Sequence, residues 1–399
     1  MSKQRLMILG GGVQQAALYR RALAMGLEVF GVDPDPRCAC RALANGFHVA
    51  DLRDESTLTE IARRIGIAGV VTVAADYPVQ GLAAIVHALG LLGLSRETAL
   101  ACTDKARMRQ TLNQAAIAIP DFQICEDRAD VDTILQESPD GLVLKPTGGS
   151  GSKGVRFLHF GTPARDVSAA FQEAAAFSQS GQVLAEQYIT GPEYSVEAVN
   201  VDGEPHVIAI TRKQTSGPPH FVETGHDVPA SLSAAESSAI QQCAKGAINS
   251  LGIVNGASHT EIIVDGGTPK IIEVAARLGG GYINSDLIPL ATGVDMLGAA
   301  INVALGRTPD LSVTRNAGAS IRFFQPRAGT VQKIDLRDAV EIPGAVKIDP
   351  ILAVGDRVSE LRDSRDRRGF VISMAANQIE SARIAELVVS TVIIETTDP

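Results

Sequence analysis

A lysine followed by proline and a glycine-rich loop stands near the middle of the chain, in the stretch LKPTGGSGSKGV from Leu144 to Val155. The apolar residues before it predict a strand, so Lys145 would be a fixed positive charge at the end of that strand. The loop has four glycines, and its free backbone N–H groups, together with the hydroxyls of Ser150 and Ser152, suit phosphate oxygens. The pattern predicts a lid that folds over a nucleotide, with a flexible hairpin turn as the alternative.

Two better-known phosphate motifs fit the sequence less well. A P-loop requires Gly-Lys-Ser/Thr after its first glycine, and the loop instead reads Lys153-Gly154. The first β/α turn, GGGVQQ, has Gly10 and Gly12 of a dinucleotide fingerprint, but Gln15 replaces the third glycine. The turn is therefore either a partial dinucleotide site or a tight turn that faces a substrate.

Two glutamates, Glu261 and Glu273, lie on either side of a predicted hairpin turn. If the loop is the three residues Gly266 to Thr268, these carboxylates are cross-strand partners with Cβ atoms about 4.5–5.5 Å apart. Opposed carboxylates repel unless they share a cation, so the pattern predicts Mg²⁺ bound with a nucleotide. Two alternatives stay open: a two-residue loop would pair Glu261 with Ile272, and the glutamates would otherwise be solvated strand residues.

The elements that must position these groups fall into successive units. Short apolar strands alternate with helical stretches up to about residue 98, which predicts a parallel sheet with helices on its faces. A small α+β unit containing the lid follows. Antiparallel strands come next, with a hairpin turn at Asp202-Gly203. In the last unit, the charged stretch from 362 to 369 is interpreted as a solvated turn.

Composition excludes several classes of function. The chain has 399 residues, with 36 Lys and Arg against 45 Asp and Glu, and a net charge of −9. This balance argues against a nucleic-acid partner or an acidic membrane surface. Five cysteines without framework spacing, and an N-terminus without a signal-peptide pattern, predict a cytoplasmic protein.

Taken together and in order, these motifs resemble the ATP-grasp superfamily. The resemblance implies a Rossmann-like N-terminal domain (1–98), a small ATP-binding subdomain (99–185), a large ATP-grasp subdomain (186–315) and a C-terminal α+β unit (316–399). It implies ATP as cofactor, with Mg²⁺ (or Mn²⁺) on Glu261 and Glu273. The implied nucleotide contacts are Lys105, Lys145, Gly149, Ser150, Gly151, Ser152, Glu186, Gln187, Tyr188 and Ile189 for the phosphates and base, and Glu193 for the ribose. In relatives an asparagine two residues after the second glutamate often ligates metal, whereas this chain has Ala275, so one or two metals stay open.

Within that superfamily the sequence is most similar to the L-amino acid ligases, through FVETGHDVPASLS, EVAARLGGG and landmarks of the last unit. The resemblance implies that a carboxylate, expected to be an amino acid, is joined to an amine through an acyl phosphate, with release of ADP and phosphate. The implied catalytic residues are Arg277, Lys145 and His226, and the implied substrate contacts are Glu223, His226, His259, Arg277 and Gly280. A homodimer is expected. The alternatives are a ligase of bicarbonate or purine-pathway substrates, a dinucleotide-binding oxidoreductase, and a silent nucleotide-binding protein.

Overall fold

A computed structural model describes residues 3–149 and 151–397 of the chain. The N-terminal unit is a four-stranded parallel sheet in the order β3-β2-β1-β4, with helices packed against it. Its elements are β1 Arg5–Leu9, α1 Ala16–Ala24, β2 Glu28–Asp33, β3 Gly46–Val49, α2 Glu55–Ile65, β4 Gly69–Val71 and α3 Val79–Leu89. The central strand β1 is apolar on both faces and almost wholly buried, which is why it does not alternate in sequence. The predicted parallel sheet is confirmed.

A second, antiparallel sheet carries the glycine-rich loop. Two helices connect it to the first unit, α4 Arg96–Thr103 and α5 Lys105–Gln114. Its elements are β5 Phe122–Cys125, α6 Arg128–Gln136, β6 Leu142–Pro146, β7 Arg156–Leu158, α7 Ala164–Ala175 and β8 Val183–Gln187. The strand order is β5-β8-β6-β7, and α6 and α7 cover an apolar core of their own. The loop therefore connects β6 and β7 of a small sheet that has its own apolar core.

The largest sheet has eight strands in the order β13-β12-β9-β10-β11-β14-β18-β16. Its first part contains β9 Glu193–Val201, β10 Glu204–Thr215, β11 Glu223–Val228, α8 Ala234–Ser250, β12 Gly256–Asp265, β13 Thr268–Ala275, α9 Ile288–Thr292 and α10 Met296–Ala304. Asp202 and Gly203 both have positive φ in the β9–β10 turn, as predicted for that hairpin.

Three strands of the C-terminal unit continue this same sheet, and three others form a separate small sheet. The remaining elements are β14 Gly318–Phe323, β15 Gly329–Asp335, β16 Ala345–Asp349, β17 Arg357–Val358, β18 Phe370–Ala375, α11 Gln378–Thr391 and β19 Ile393–Thr396. β14 pairs with β11, so strands on both sides of residue 315 share one hydrogen-bonded ladder. The C-terminal unit is thereby fixed rigidly beside the strand that begins at Glu223. The proposed domain boundaries stay predictions.

Within residues 3–149 and 151–397, no single helix is long and apolar enough to cross a membrane. One bent pair, Ile283–Thr292 with Met296–Ala304, passes a test of length and hydropathy only when the two are counted together.

Candidate active site

A cleft of about 1040 Å³ lies between the small sheet and the large sheet. Thirteen of the residues predicted to be functional line it: Lys105, Lys145, Gly149, Gly151, Ser152, Glu186, Gln187, Tyr188, Ile189, Glu193, Glu223, Glu261 and Glu273. Four others lie outside its lining, namely His226, His259, Arg277 and Gly280. Ser150 lies outside the described residues. The fold thus gathers into one cavity groups that are up to 168 residues apart in the chain.

Lys145 is held in place by a buried carboxylate. Its Nζ donates to Glu186 Oε2 at 2.5 Å, and Arg109 Nε donates to Glu186 Oε1 at 2.6 Å. Burial by itself would raise the pKa of Glu186, but the charges of Arg109 and Lys145 outweigh burial and lower that pKa to about 2. Glu186 is therefore an ionised anchor for two cations, and its predicted contact with the base edge stays a prediction.

Arg109 was missed by the sequence analysis. It lies on α5, four residues after Lys105, so both side chains point from the same face of that helix. The helix begins at an Asp104 cap, which accepts from the backbone N–H groups of Ala106 and Arg107. The sequence signal for Arg109 was the pair of cations, spaced i, i+4, directly after a helix-capping residue.

Lys105 joins the lid to the predicted metal site. Its Nζ donates to Glu273 Oε1 at 2.8 Å and to the Gly149 carbonyl oxygen at 2.9 Å. A phosphate chain that enters the cleft would meet this ammonium between the lid and the carboxylate. The placement agrees with the predicted nucleotide role of Lys105, which stays a prediction.

The pairing of Glu261 with Glu273 is confirmed, but the turn that was expected to produce it is wrong. The turn has two residues, Gly266 and Gly267, both with positive φ, and Asp265 pairs with Thr268. A regular ladder from such a turn would place Ile272 opposite Glu261. A β-bulge inserts Ile272 as an extra residue of β13, and this shift by one residue brings Glu273 opposite Glu261.

A buried lysine unites three carboxylates of the cleft. Lys213 Nζ lies 2.7 Å from Glu193 Oε1, 2.8 Å from Glu261 Oε1 and 3.4 Å from Glu223 Oε1, and its side chain is 3% exposed. Burial opposes its charge, yet the three carboxylates hold the pKa of Lys213 well above its usual value. The sequence analysis missed Lys213. β10 contains exposed, half-buried and buried residues, so no pattern in the strand marks Lys213 as buried.

His226 lies next to Glu223, outside the lining of the cleft. Its Nε2 is 3.6 Å from Glu223 Oε2. Among the described residues neither ring nitrogen has a hydrogen-bond partner, although the side chain is fully buried. A Cβ on Gly281 would lie 2.9 Å from His226 Nε2, so only glycine fits there. A buried imidazole without partners beside a glycine turn suits recognition of a polar substrate group.

The glycine turn itself is partly occupied by the N-terminal unit. Gly281 N–H donates to Gln14 Oε1 at 3.2 Å, so this donor is not free for a substrate carboxylate. Gly280 lies against the same Gln14 oxygen, and its substrate role stays a prediction. The GGGVQQ turn thus faces the predicted substrate region. A Cβ on Gly11 would lie 2.4 Å from Cys38 Sγ, so the side chains packed against the GGGVQQ turn leave no room for a larger residue at this position.

Arg277 faces the N-terminal unit. β13 ends at Ala275, so Arg277 lies beyond the end of the strand. Its Nε donates to Asp76 Oδ1 at 2.8 Å, and its Nη1 donates to the Leu278 carbonyl oxygen at 3.2 Å. Asp76, which the sequence analysis missed, therefore fixes the direction of Arg277, and the catalytic role of Arg277 stays a prediction.

A buried acid–imidazole pair adjoins the predicted metal carboxylates. His259 Nδ1 contacts Glu197 Oε1, and Asn284 Nδ2 donates to Glu197 Oε2 at 2.8 Å. The other ring nitrogen, Nε2, is 3.3 Å from Glu261 Oε1. Burial opposes a charge on His259, but Glu197 and Glu261 outweigh it and raise the pKa of His259 to about 10. Sequence reasoning missed Glu197 and Asn284.

The segment Asp363–Arg367 of the C-terminal unit reaches the cleft from the opposite side. Ser364 lines the cleft, and its N–H donates to the Gly151 carbonyl oxygen of the lid at 3.3 Å. Arg367 Nη1 donates to Glu223 Oε2 at 3.2 Å, with its guanidinium 4.1 Å from the centre of the Phe323 ring. The interpretation of 362–369 as a solvated turn is therefore wrong for Ser364 and Arg367.

The donor set fits a nucleotide with a divalent cation. Glu261 and Glu273 each already balance a lysine ammonium at 2.8 Å, which shows that their oxygens can be satisfied by positive charge. In the part of the chain that the structure describes, no three His, Cys, Asp or Glu side chains stand ready-made as a metal cage. Carboxylates and substrate phosphates, rather than an all-protein cage, are the usual ligands of Mg²⁺.

Comparison with known proteins agrees with this architecture. Residues 3–86 match the ribonucleotide synthetase preATP-grasp domain, residues 138–286 the ATP-grasp domain, and residues 322–397 the L-amino acid ligase C-terminal domain 2. The crystal structure of an L-amino acid ligase from Bacillus licheniformis superposes with a TM-score of 0.84, covering 100% of both chains at 23% identity.

Two curated relatives align over most of this chain. "Uncharacterized protein y4rH" of Sinorhizobium fredii is 28% identical over 84% of this chain and 69% of its own length. Carnosine synthase 1 of Homo sapiens is 26% identical over 77% of this chain, which spans only 40% of that protein. The chain therefore carries an ATP-grasp domain and an L-amino acid ligase C-terminal domain, and its homologues include ATP-dependent ligases.

Proposed function

We propose that this protein is an ATP-dependent carboxylate–amine ligase that joins an amino acid, as the acid, to an amine, forming an amide or dipeptide bond with release of ADP and phosphate. One observation carries the proposal. Cations suited to a triphosphate (Lys105, Lys145, Lys213) line a cleft that adjoins a buried imidazole, His226, whose ring nitrogens have no hydrogen-bond partner among the described residues. Similarity to L-amino acid ligases and carnosine synthase supports the substrate class.

The first step is transfer of the γ-phosphoryl group to the acid. A carboxylate oxygen of the substrate attacks the γ-phosphorus, the bond to the ADP oxygen breaks, and an acyl phosphate forms. Phosphoryl transfer depends on positioning and charge neutralisation, and the chain supplies Lys105 at the lid, Lys145 on β6 and Lys213 on β10. A Mg²⁺ held by Glu261 and Glu273 would neutralise phosphate charge when bound.

The second step is capture of the acyl phosphate by the amine. The neutral amine attacks the acyl carbon, phosphate leaves, and the amine nitrogen loses a proton. His226 is placed to take that proton, since its ring nitrogens have no partner among the described residues and Glu223 lies 3.6 Å away. Glu223, fixed between Lys213 and Arg367, stays ionised because burial, which would raise its pKa, is outweighed above all by the charge of Lys213.

Isotope transfer tests the proposal directly. A matrix of amino acids would first be assayed for ADP release and for amide products by mass spectrometry. The active acid would then be labelled with oxygen-18 in its carboxylate, and one labelled oxygen is expected in each released phosphate. Label retained entirely in the product, or formation of AMP and pyrophosphate, would rule out the acyl phosphate. A homodimer and a cytoplasmic location remain predictions that these assays do not address.

A further inference from the structure

Glu197 and His259 make more contacts than support of one strand requires. Glu197 is fully buried and uses both carboxylate oxygens, one for His259 Nδ1 and one for Asn284 Nδ2. Gly279 closes over the pair, because a Cβ there would lie 2.6 Å from His259 Nδ1. The imidazole is therefore fixed in position and orientation by one of its nitrogens, and only Nε2 is left to act on anything else.

The second ring nitrogen of His259, Nε2, points at the predicted metal carboxylates. His259 and Glu261 are two residues apart on β12, so they share a face of the sheet, and His259 Nε2 lies 3.3 Å from Glu261 Oε1. Two ligands of one octahedral cation at about 2.1 Å lie about 3.0 Å apart. The observed 3.3 Å is a hydrogen-bond distance, and it is also close to the separation of two neighbouring ligands. Glu273 stands opposite Glu261 on the adjacent strand.

The residue opposite His259 offers no competing ligand. His259 pairs with Ala275 across the hairpin, and Ala275 is buried. A methyl group cannot coordinate a cation, so on this side of Glu261 and Glu273 the donor atom that the hairpin presents is the imidazole nitrogen.

We propose that His259, with its Nε2 proton released, is a metal ligand through Nε2, beside Glu261, with Glu197 and Asn284 holding the imidazole in the coordinating orientation. This inference rests on the proposed nucleotide–metal site. Metal-binding histidines almost always donate their other N–H to a carboxylate, as His259 does to Glu197. A nitrogen donor suits transition metals better than Mg²⁺, so the site favours Mn²⁺ over Mg²⁺ more strongly than a site built of oxygen ligands alone.

Pulsed EPR of Mn²⁺ bound to the full chain with ADP tests the ligand directly. A directly coordinated imidazole gives a ¹⁴N coupling to Mn²⁺, and growth with ¹⁵N-histidine should replace it with a ¹⁵N coupling without any mutation. The coupling should vanish in His259→Gln and persist in His226→Gln, which changes the other histidine of the site. Mn²⁺ without nitrogen coupling in the wild-type protein overturns this inference alone, whereas failure to bind Mn²⁺ with ADP overturns the proposed metal site as well.

Affinity measurements separate coordination from mere support of Glu261. Glu197→Gln should keep the nitrogen coupling but weaken Mn²⁺ binding about 10- to 100-fold, the usual cost of losing a partner that orients a ligand. His259→Gln should lower the ratio of Mn²⁺ to Mg²⁺ affinity, and Ala275→Asn should lower it too, by adding an oxygen donor on the same face. An unchanged ratio in His259→Gln would show that His259 supports Glu261 without touching the metal.

Discussion

The β12–β13 hairpin and the Asp363–Arg367 segment deliver charged groups to the same cleft by opposite means. The hairpin pairs Glu261 with Glu273 across a turn of two glycines, so its geometry is set by neighbours in the chain. Arg367 meets Glu223 from 144 residues away, and it does so only because β14 continues the large sheet beyond β11. The hairpin contact depends on residues close in sequence, whereas the distant contact depends on the assembled sheet.

The two regions also differ in what fixes their side chains. Glu273 lies on a ladder whose hydrogen bonds set its direction, and Lys105 binds it at 2.8 Å. Arg367 lies in a short irregular stretch, and its direction comes from Phe323, the Ser364 carbonyl oxygen and Glu223. Changes in the hairpin should therefore affect chemistry, and changes in the segment should affect how substrates and the lid are held.

The largest effect is expected from Glu273→Gln. Loss of one metal carboxylate in a water-excluded site should slow ADP formation about 100-fold or more, because charge stabilisation is worth most there. The measurement is ADP release with saturating substrates. Glu204→Gln is the matched control, since Glu204 is exposed and pairs only with Lys245 on the surface. Thermal unfolding checks the fold of both variants, and near-wild-type turnover in Glu273→Gln would reject the metal assignment.

A smaller and more selective effect is expected from Arg367→Leu. Glu223 would lose one of its cations, so the KM for the amine should rise about tenfold, which is about 1.4 kcal/mol, while the KM for ATP changes little. Arg367→Lys should give an intermediate value, because it keeps the charge but not the planar fork. Arg362→Leu, an exposed residue paired only with Glu360, is the control. An equal rise in both KM values would mean that Arg367 supports the whole cleft rather than the amine side.

Much of the fold could be predicted from the sequence, because these predictions depended on the pattern of residues close together in the chain. The apolar run of β1, the Asp202-Gly203 turn and the carboxylate pair are of this kind. Even there, the pairing arose from a two-residue turn and a bulge at Ile272 rather than the expected three-residue turn. A bulge leaves no mark in an apolar run, because each residue at that point fits either register.

The missed site residues share a different property. Lys213, Glu197 and Arg109 are buried charges whose partners lie on other strands or helices. Each lies in a helix or strand that also contains other polar residues, so the sequence alone shows neither that the side chain is buried nor which partner it has. Asp76 likewise could not be assigned to Arg277, which is 201 residues away.

The smallest expected effect concerns the contact between the segment and the lid, which two substitutions of Ser364 separate. Ser364→Pro deletes the N–H that donates to the Gly151 carbonyl oxygen. Proline is tolerated there, because Ser364 opens a short helical turn and the preceding Asp363 is extended, at φ −151° and ψ 178°. Ser364→Ala removes the hydroxyl but keeps the N–H, and is the matched control.

One lost hydrogen bond is worth about 0.5–1.5 kcal/mol, so Ser364→Pro should raise the KM for ATP roughly two- to tenfold. Hydrogen exchange of the described lid residues, 148, 149 and 151 to 154, should be faster in the ATP complex of Ser364→Pro than in that of the wild type or Ser364→Ala. Equal effects of the two substitutions would assign the contact to the hydroxyl instead of the backbone. Unchanged exchange in both variants would show that the C-terminal unit does not hold the lid. Arg367 would then be the link between the segment and the cleft, and the contrast between the segment and the hairpin would be sharper.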